Sequence, residues 1–144
     1  MPSLFLFGEA MSAAGLTDPV EDAKKNGLQC ILPQSHEIQI DLDSNDDRGH
    51  MYAMIELLRQ NGIELIIRRE TRSRGGNAHI YIDAPRELSD IERIAFQACL
   101  GSDRKRELLS ILRAWDGRFS PTAFFEVPVE TGMLLTRPGG MVIG

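Results

Sequence analysis

Alternating apolar and polar residues predict two strands near the middle of the chain. In residues 37–43 every second residue is apolar, so Asp41 and Asp43 share the opposite face of a strand. Residues 78–82 alternate in the same way and place His79 on a polar face. We therefore expect two acids and one imidazole on the polar face of one sheet.

One segment between the two strands and two segments after them are predicted to be helices. Residues 48–61 carry apolar side chains at positions i, i+3, i+4 and i+7, a stripe suited to packing on a sheet. Ser89 and Glu92 have the spacing of a capping box, which predicts a helix from there to about residue 100. Another helix is predicted from residue 102 or 103 to about residue 115.

The first 36 residues have a less regular pattern. Asp18 as N-cap and Pro19 at the first helical position predict a short helix that reaches Lys25. Residues 3–7 and 28–32 predict short strands. No function is assigned to this region.

Two more apolar segments, residues 63–69 and 123–127, complete the predicted strands. The order strand, helix, strand, strand, helix pair, strand predicts an α+β fold of the ferredoxin-like or RNA-recognition-motif-like (split βαβ) type, with helices on one face of an antiparallel sheet. With 144 residues we expect a single domain. Its core is predicted at residues 37–128, between an N-terminal extension at residues 1–36 and a tail at residues 129–144.

Composition excludes some classes of protein. The chain has no run of 18 apolar residues, so we expect no membrane span. The apolar residues 3–7 lack a basic start, which favours a strand over a signal peptide. Cys30 and Cys99 belong to no CxxC or Cys/His cluster, so neither a zinc site nor a disulfide framework is indicated. A reducing cytoplasm is the expected compartment.

Charge is distributed unevenly along the chain. The net charge of −5 argues against a protein that wraps nucleic acid by charge alone. Residues 1–67 contain four Lys or Arg and eleven Asp or Glu, whereas residues 68–144 contain twelve and ten. Four arginines fall within seven residues, which indicates either a solvated strand and loop or a patch that contacts phosphates: Arg68, Arg69, Arg72 and Arg74.

A second basic group opens the last predicted helix. Arg104, Lys105 and Arg106 are consecutive, and basic residues at that end oppose the helix dipole. They are either solvated or attracted to the phosphates of a nucleic-acid partner.

Two features of the central region are candidates for chemistry. Asp41 and Asp43 lie roughly 7 Å apart on one strand face, close enough to share a divalent cation. The alternative is a solvent-facing strand edge. Gly75 and Gly76 permit backbone angles at which amide groups converge on an anion, although a hairpin turn explains the same pair.

Residues 40–43 and 73–82, with one helix and one strand between them, resemble the first two motifs of the archaeo-eukaryotic primase superfamily. The similarity is closest to primase-polymerase domains of bacterial end-joining ligases and of mobile-element replication proteins. It covers residues 37–85, about a third of the chain, and suggests a minimal or degenerate member.

The resemblance implies a site for metal and nucleotide. Asp41 and Asp43 match the family's pair of acids that holds two divalent metals, which implies Mg²⁺ or Mn²⁺. Ser73 and His79 match its serine–glycine loop and histidine, which bind the triphosphate of the incoming nucleotide. Three further residues are assigned by position, Glu126 as third metal ligand and Arg72 or Arg74 beside the triphosphate.

Two functions from different classes follow from these residues. The first is a metal-dependent nucleotidyltransferase that acts on nucleoside triphosphates and a DNA or RNA template, with Arg68, Arg104, Lys105 and Arg106 contacting nucleic acid. The second is a non-catalytic module that binds a nucleotide, nucleic acid or a protein partner in a phage or plasmid replication or defence system. A nuclease that uses the same acids is a third possibility.

Overall fold

The computed structural model of the protein describes residues 16–43, 46–73 and 75–128, without the side chains of residues 46 and 47. The predicted strand at residues 3–7, the tail at residues 129–144 and Arg74 lie outside the described residues. In the part described, none of the helices is both long enough and apolar enough to span a bilayer.

The described residues form four helices and five strands, which confirms the α+β class. The helices are α1 (Pro19–Lys25), α2 (Asp46–Gln60), α3 (Asp90–Cys99) and α4 (Arg104–Asp116). The strands are β1 (Gln29–Ile31), β2 (Glu37–Leu42), β3 (Ile66–Arg72), β4 (Ala78–Asp83) and β5 (Phe124–Glu126).

Local signals place most helix ends. Asp18 caps α1 by accepting from the Val20 N–H, and Pro19 is its first residue. Ser89 and Glu92 form the predicted capping box of α3.

Strand β3 begins three residues later than predicted, because the preceding residues complete the end of α2. The Ile63 N–H donates to the Leu58 carbonyl, across Gly62 with its φ of 93°. This bond belongs to a helix C-cap, so Ile63 is not free to start a strand.

The strands form two antiparallel sheets. One has the order β2-β4-β3, and the other pairs β1 with β5. The first sheet contains the three strands expected from the split βαβ order. The last strand, β5, differs from that expectation because it pairs with β1 and not with β2.

Helices α3 and α4 occupy the free edge of β2, where a fourth strand would pair. The Gln39 N–H donates to Gln97 Oε1 and the Asp41 N–H donates to Ser102 Oγ, each at 3.0 Å. The Asp103 N–H donates to the Asp41 carbonyl at 2.7 Å.

Two arginines bind the remaining carbonyls of this edge. Arg93 Nε donates to the Glu37 carbonyl and Arg106 Nη1 to the Gln39 carbonyl, both at 2.7 Å. Because buried backbone groups need partners, these side chains replace the ladder that a neighbouring strand would provide.

The two faces of the larger sheet are covered differently. Its apolar face packs against Met51 of α2 and against Leu100, which follows α3, in the main hydrophobic cluster. Its polar face lies beneath the small sheet, where Phe124 of β5 stacks on His79 with ring centroids 3.9 Å apart. The polar face of the larger sheet is therefore buried as well, beneath the small sheet. Tyr81 on this face is completely buried.

Candidate functional site

A pocket of about 360 Å³ lies on the polar side of the larger sheet. The sheet and its hairpin contribute Asp41, Ser73 and His79 to the lining, and α4 contributes Lys105 and Arg113. Three residues of the two sequence motifs, far apart in the chain, thus meet at one cavity.

Asp41 and His79 face each other across the sheet. They are direct partners in the β2–β4 register, and His79 Nε2 lies 3.8 Å from Asp41 Oδ1. That oxygen is buried and has no hydrogen-bond partner among the described residues. Burial raises the pKa of Asp41, while the charges of His79 and Arg106 oppose the rise. The site therefore contains a buried carboxylate oxygen whose bonding capacity is unused by the described residues.

Glu126 lies on the other side of the imidazole. Its Oε2 accepts hydrogen bonds from Thr71 Oγ1 at 2.6 Å, Tyr81 Oη at 2.5 Å and His79 Nδ1 at 3.2 Å. Burial alone would raise the pKa of Glu126, but these three bonds and the charge of His79 bring it to about 2. Glu126 is therefore ionised at neutral pH.

The Glu126 carboxylate fixes the orientation of His79. An ionised carboxylate only accepts hydrogen bonds, so Nδ1 of His79 must carry a proton. The parallel ring of Phe124 restricts rotation of the imidazole. Nε2 is consequently held toward Asp41, and His79 is only 4% exposed, although its polar strand face predicted a more accessible side chain.

Asp43 occupies a different environment from Asp41. It is exposed just beyond β2, outside the pocket lining, and its Oδ1 accepts from Asn77 Nδ2 at 3.2 Å. The alternation that puts both acids on one side of the strand does not bring both into the pocket.

The glycine loop is a hairpin turn between β3 and β4. The Ser73 N–H donates to the Asn77 carbonyl at 2.8 Å, and the Gly76 N–H donates back to the Ser73 carbonyl at 3.0 Å. Gly76 has a φ of 92°, which explains the glycine. Its amide is used within the turn, so the hairpin interpretation holds. Of the described residues of the loop, Ser73 lines the pocket.

The basic residues assigned to phosphates or nucleic acid lie in different places. Arg68 pairs with Asp83 and Arg72 contacts the Gly76 carbonyl, and neither lines the pocket. Arg104 is exposed at the start of α4. Lys105 is exposed and lines the pocket.

Arg106 has a structural environment that the sequence did not predict. Its guanidinium donates to the Gln39 and Ala123 carbonyls and to Glu107, and its side chain is 13% exposed. It also lies over the Phe124 ring, 4.4 Å from the centroid. These bonds satisfy the guanidinium inside the protein, which corrects its assignment as a nucleic-acid contact.

Arg113 is a basic residue of the pocket that was not predicted from the sequence. Lys105, Leu109 and Arg113 follow one another at intervals of four residues and all line the pocket. Residues with this spacing share one face of a helix. Since Lys105 was already a candidate, the same face of α4 was the signal that would have identified Arg113.

The donor atoms present fit a divalent cation in part. Among the described residues no three His, Cys, Asp or Glu side chains are grouped as a metal site. Asp41 Oδ1 is nevertheless a buried carboxylate oxygen without a hydrogen bond to the described part of the chain, and carboxylate oxygens are ligands that Mg²⁺ and Mn²⁺ prefer. Glu126, the assigned third ligand, already uses one carboxylate oxygen for three hydrogen bonds.

Comparison of the chain with protein-family models, with curated proteins and with solved structures found no match.

Proposed function

We propose that the protein binds a nucleoside triphosphate with a divalent cation in this pocket and transfers nucleotides to nucleic acid, as primase-polymerase domains do. The observation that carries the proposal is the convergence of Asp41, Ser73 and His79 on one cavity. These residues match two separate motifs, and Lys105 adds a positive charge beside them.

Asp41 would hold the cation through Oδ1, with Asp43 as the second carboxylate of the motif. The unpartnered Oδ1 supports this role, since a bound cation would compensate the cost of burying a charged oxygen. When bound, Mg²⁺ or Mn²⁺ supplies neutralisation of the phosphates and activation of a 3′-hydroxyl.

His79 would donate a hydrogen bond from Nε2 to a phosphate oxygen, as an imidazolium that carries a proton on each ring nitrogen. Its other ring nitrogen is bonded to Glu126 and its face is covered by Phe124, so the imidazole is held in one orientation before the ligand arrives. We assign Glu126 a positioning role in place of metal coordination. Such preorganisation lowers the cost of forming the complex.

The test is primer extension by the purified protein with Mn²⁺ or Mg²⁺ and a mixture of nucleoside triphosphates. Incorporation is expected for the wild type, and Asp41→Asn should reduce it by at least about a hundredfold, since single charge-stabilising groups contribute about 10²–10³ in rate. Glu87→Gln, which changes an exposed acid outside the pocket, is the matched control. Absence of incorporation on every primer and template, with either metal, would exclude the transferase.

Non-catalytic binding of single-stranded nucleic acid is the second candidate. Trp115 is 85% exposed and lies on α4 near two other exposed apolar residues, Leu108 and Ile111. Spacings of three and four residues put all three on one helix face, and an exposed tryptophan is suited to stacking on bases. This surface supports binding without any contribution from the acids.

The chain's single tryptophan makes that candidate measurable. An oligonucleotide that stacks on Trp115 should quench its fluorescence without added metal, with an affinity that falls as salt rises. Trp115→Phe keeps an aromatic ring and serves as the control for binding measured by anisotropy of a labelled oligonucleotide. Equal affinity of the wild type and Trp115→Ala in that assay would remove the candidate.

A further inference from the structure

Arg113 has an unusual environment for a partly buried cation. Its side chain lines the pocket, and its Nε is buried without a hydrogen-bond partner among the described residues. Buried polar groups are almost always bonded, and an unpaired N–H on a charged group is costly. Such an atom needs an explanation in terms of what it binds.

The nearest acids do not provide that partner. Burial lowers the pKa of Arg113, and the charges of Asp22 and Asp18 act against this effect from α1. Asp18 uses Oδ1 to cap α1 through the Val20 N–H, and Asp22 accepts a hydrogen bond from Thr17. No hydrogen bond joins either acid to the Arg113 Nε within the described ranges.

Two residues that line the pocket, Asp41 and Arg113, carry opposite charges, and each has one buried atom without a hydrogen-bond partner among the described residues. The atom of Asp41 is the acceptor Oδ1, and the atom of Arg113 is the donor Nε. Lys105, two helical turns before Arg113 on the same face of α4, adds a second cation. A ligand that combines a divalent cation with a chain of phosphates would satisfy all three groups.

We infer that Arg113 and Lys105 bind the phosphate chain of a polyphosphate ligand in this pocket, in addition to His79. This inference rests on the proposed nucleotide site and adds phosphate contacts from α4. Arg72, assigned to the triphosphate from the sequence, contacts its own turn and lies outside the pocket lining.

Arginine is suited to this role because its planar fork donates two parallel hydrogen bonds to phosphate oxygens. Arg106 lines the same pocket, but its nitrogens already donate to protein acceptors. Arg113 thus differs from Arg106, because its Nε has no acceptor among the described residues.

The probe is inorganic tripolyphosphate, titrated calorimetrically into the protein in the presence of a chelator and again with Mn²⁺. We expect the wild type to bind in both conditions and more tightly with the metal. Arg113→Met should lower the affinity for tripolyphosphate by about tenfold or more in both conditions, because it loses one charged hydrogen bond. Arg113→Lys keeps the positive charge but not the planar guanidinium, so its affinity should lie between those of the wild type and Arg113→Met. Arg59→Met, an exposed arginine on α2, should bind like the wild type.

Thermal unfolding separates a binding role from a structural one. Because Nε of Arg113 is buried without a hydrogen bond to the described residues, the Tm of Arg113→Met should be unchanged or higher than that of the wild type. A fall in Tm would assign Arg113 a structural role and contradict the inference.

Two binding outcomes would also overturn the inference. In one, Arg113→Met binds tripolyphosphate as tightly as the wild type. In the other, the wild type does not bind it with or without Mn²⁺. If nucleotide incorporation that depends on Asp41 persists in either case, the proposed function stands and the phosphates are held elsewhere. If tripolyphosphate binding depends on Arg113 while incorporation is absent, the anion site stands and the transferase fails.

Discussion

At the scale of single residues, the site is built around the imidazole of His79, with Nε2 facing Asp41 and Nδ1 bonded to Glu126. Alternation fixes which face of a strand a side chain takes, so Asp41 and His79 could be placed together. It gives no information on which third group bonds to them, because that depends on the position of a short strand 47 residues after His79. Glu126 was therefore assigned to a metal, although its Oε2 bonds to His79, Tyr81 and Thr71.

Replacement of Glu126 by Gln tests its positioning role at this scale. The variant keeps the shape but loses the charge that three donors share, so its free energy of unfolding at pH 7 should fall by ~2 kcal/mol. Urea unfolding measures this difference. Glu87→Gln, an exposed change, is the control and should leave stability within about 0.5 kcal/mol of the wild type.

The difference in free energy of unfolding between the wild type and Glu126→Gln should depend on pH. Folding lowers the pKa of Glu126 from its ordinary value of 4.5 to about 2, so its contribution is complete above pH 4.5. The gap between wild type and Glu126→Gln should therefore narrow as the pH falls from 4.5 toward 2. A gap that stays constant or widens over this range would contradict the assignment of an ionised, hydrogen-bonded Glu126.

At the scale of elements, periodicity and capping predicted the helices and most strands. The protection of the β2 edge was not predictable, because it depends on individual polar side chains of α3 and α4 that bond to a strand about 60 residues earlier. Gln97, Ser102 and Glu107 are each at most 4% exposed there. Of the three basic residues that open α4, Arg106 bonds to this buried group, whereas Arg104 and Lys105 are exposed.

Arg106→Met tests this structural interpretation. Removal of the guanidinium leaves Glu107 buried without its ion-pair partner, so the free energy of unfolding should fall by about 3–5 kcal/mol. Arg104→Met, at an exposed position two residues earlier, should change it by less than about 0.5 kcal/mol. If Arg106→Met instead keeps its stability and loses affinity for nucleic acid, Arg106 is the nucleic-acid contact that the sequence suggested.

At the scale of the whole molecule, the order of elements predicted the fold class but not the layering. Element order restricts how strands are connected, yet it does not determine whether the last strand pairs beside β2 or crosses the sheet. In the structure β5 pairs with β1, and its side chains contact the polar face of the larger sheet. That layer closes one side of the pocket, since Phe124 is part of its lining.

The most direct measurement is a crystal structure of the protein soaked with Mn²⁺ and a nucleoside triphosphate. We expect an anomalous peak for manganese beside Asp41 Oδ1, with triphosphate density that reaches His79 and Arg113. A crystal in which the pocket is open to solvent and neither manganese nor triphosphate binds there would contradict the account. Binding of both at a different surface would contradict it equally.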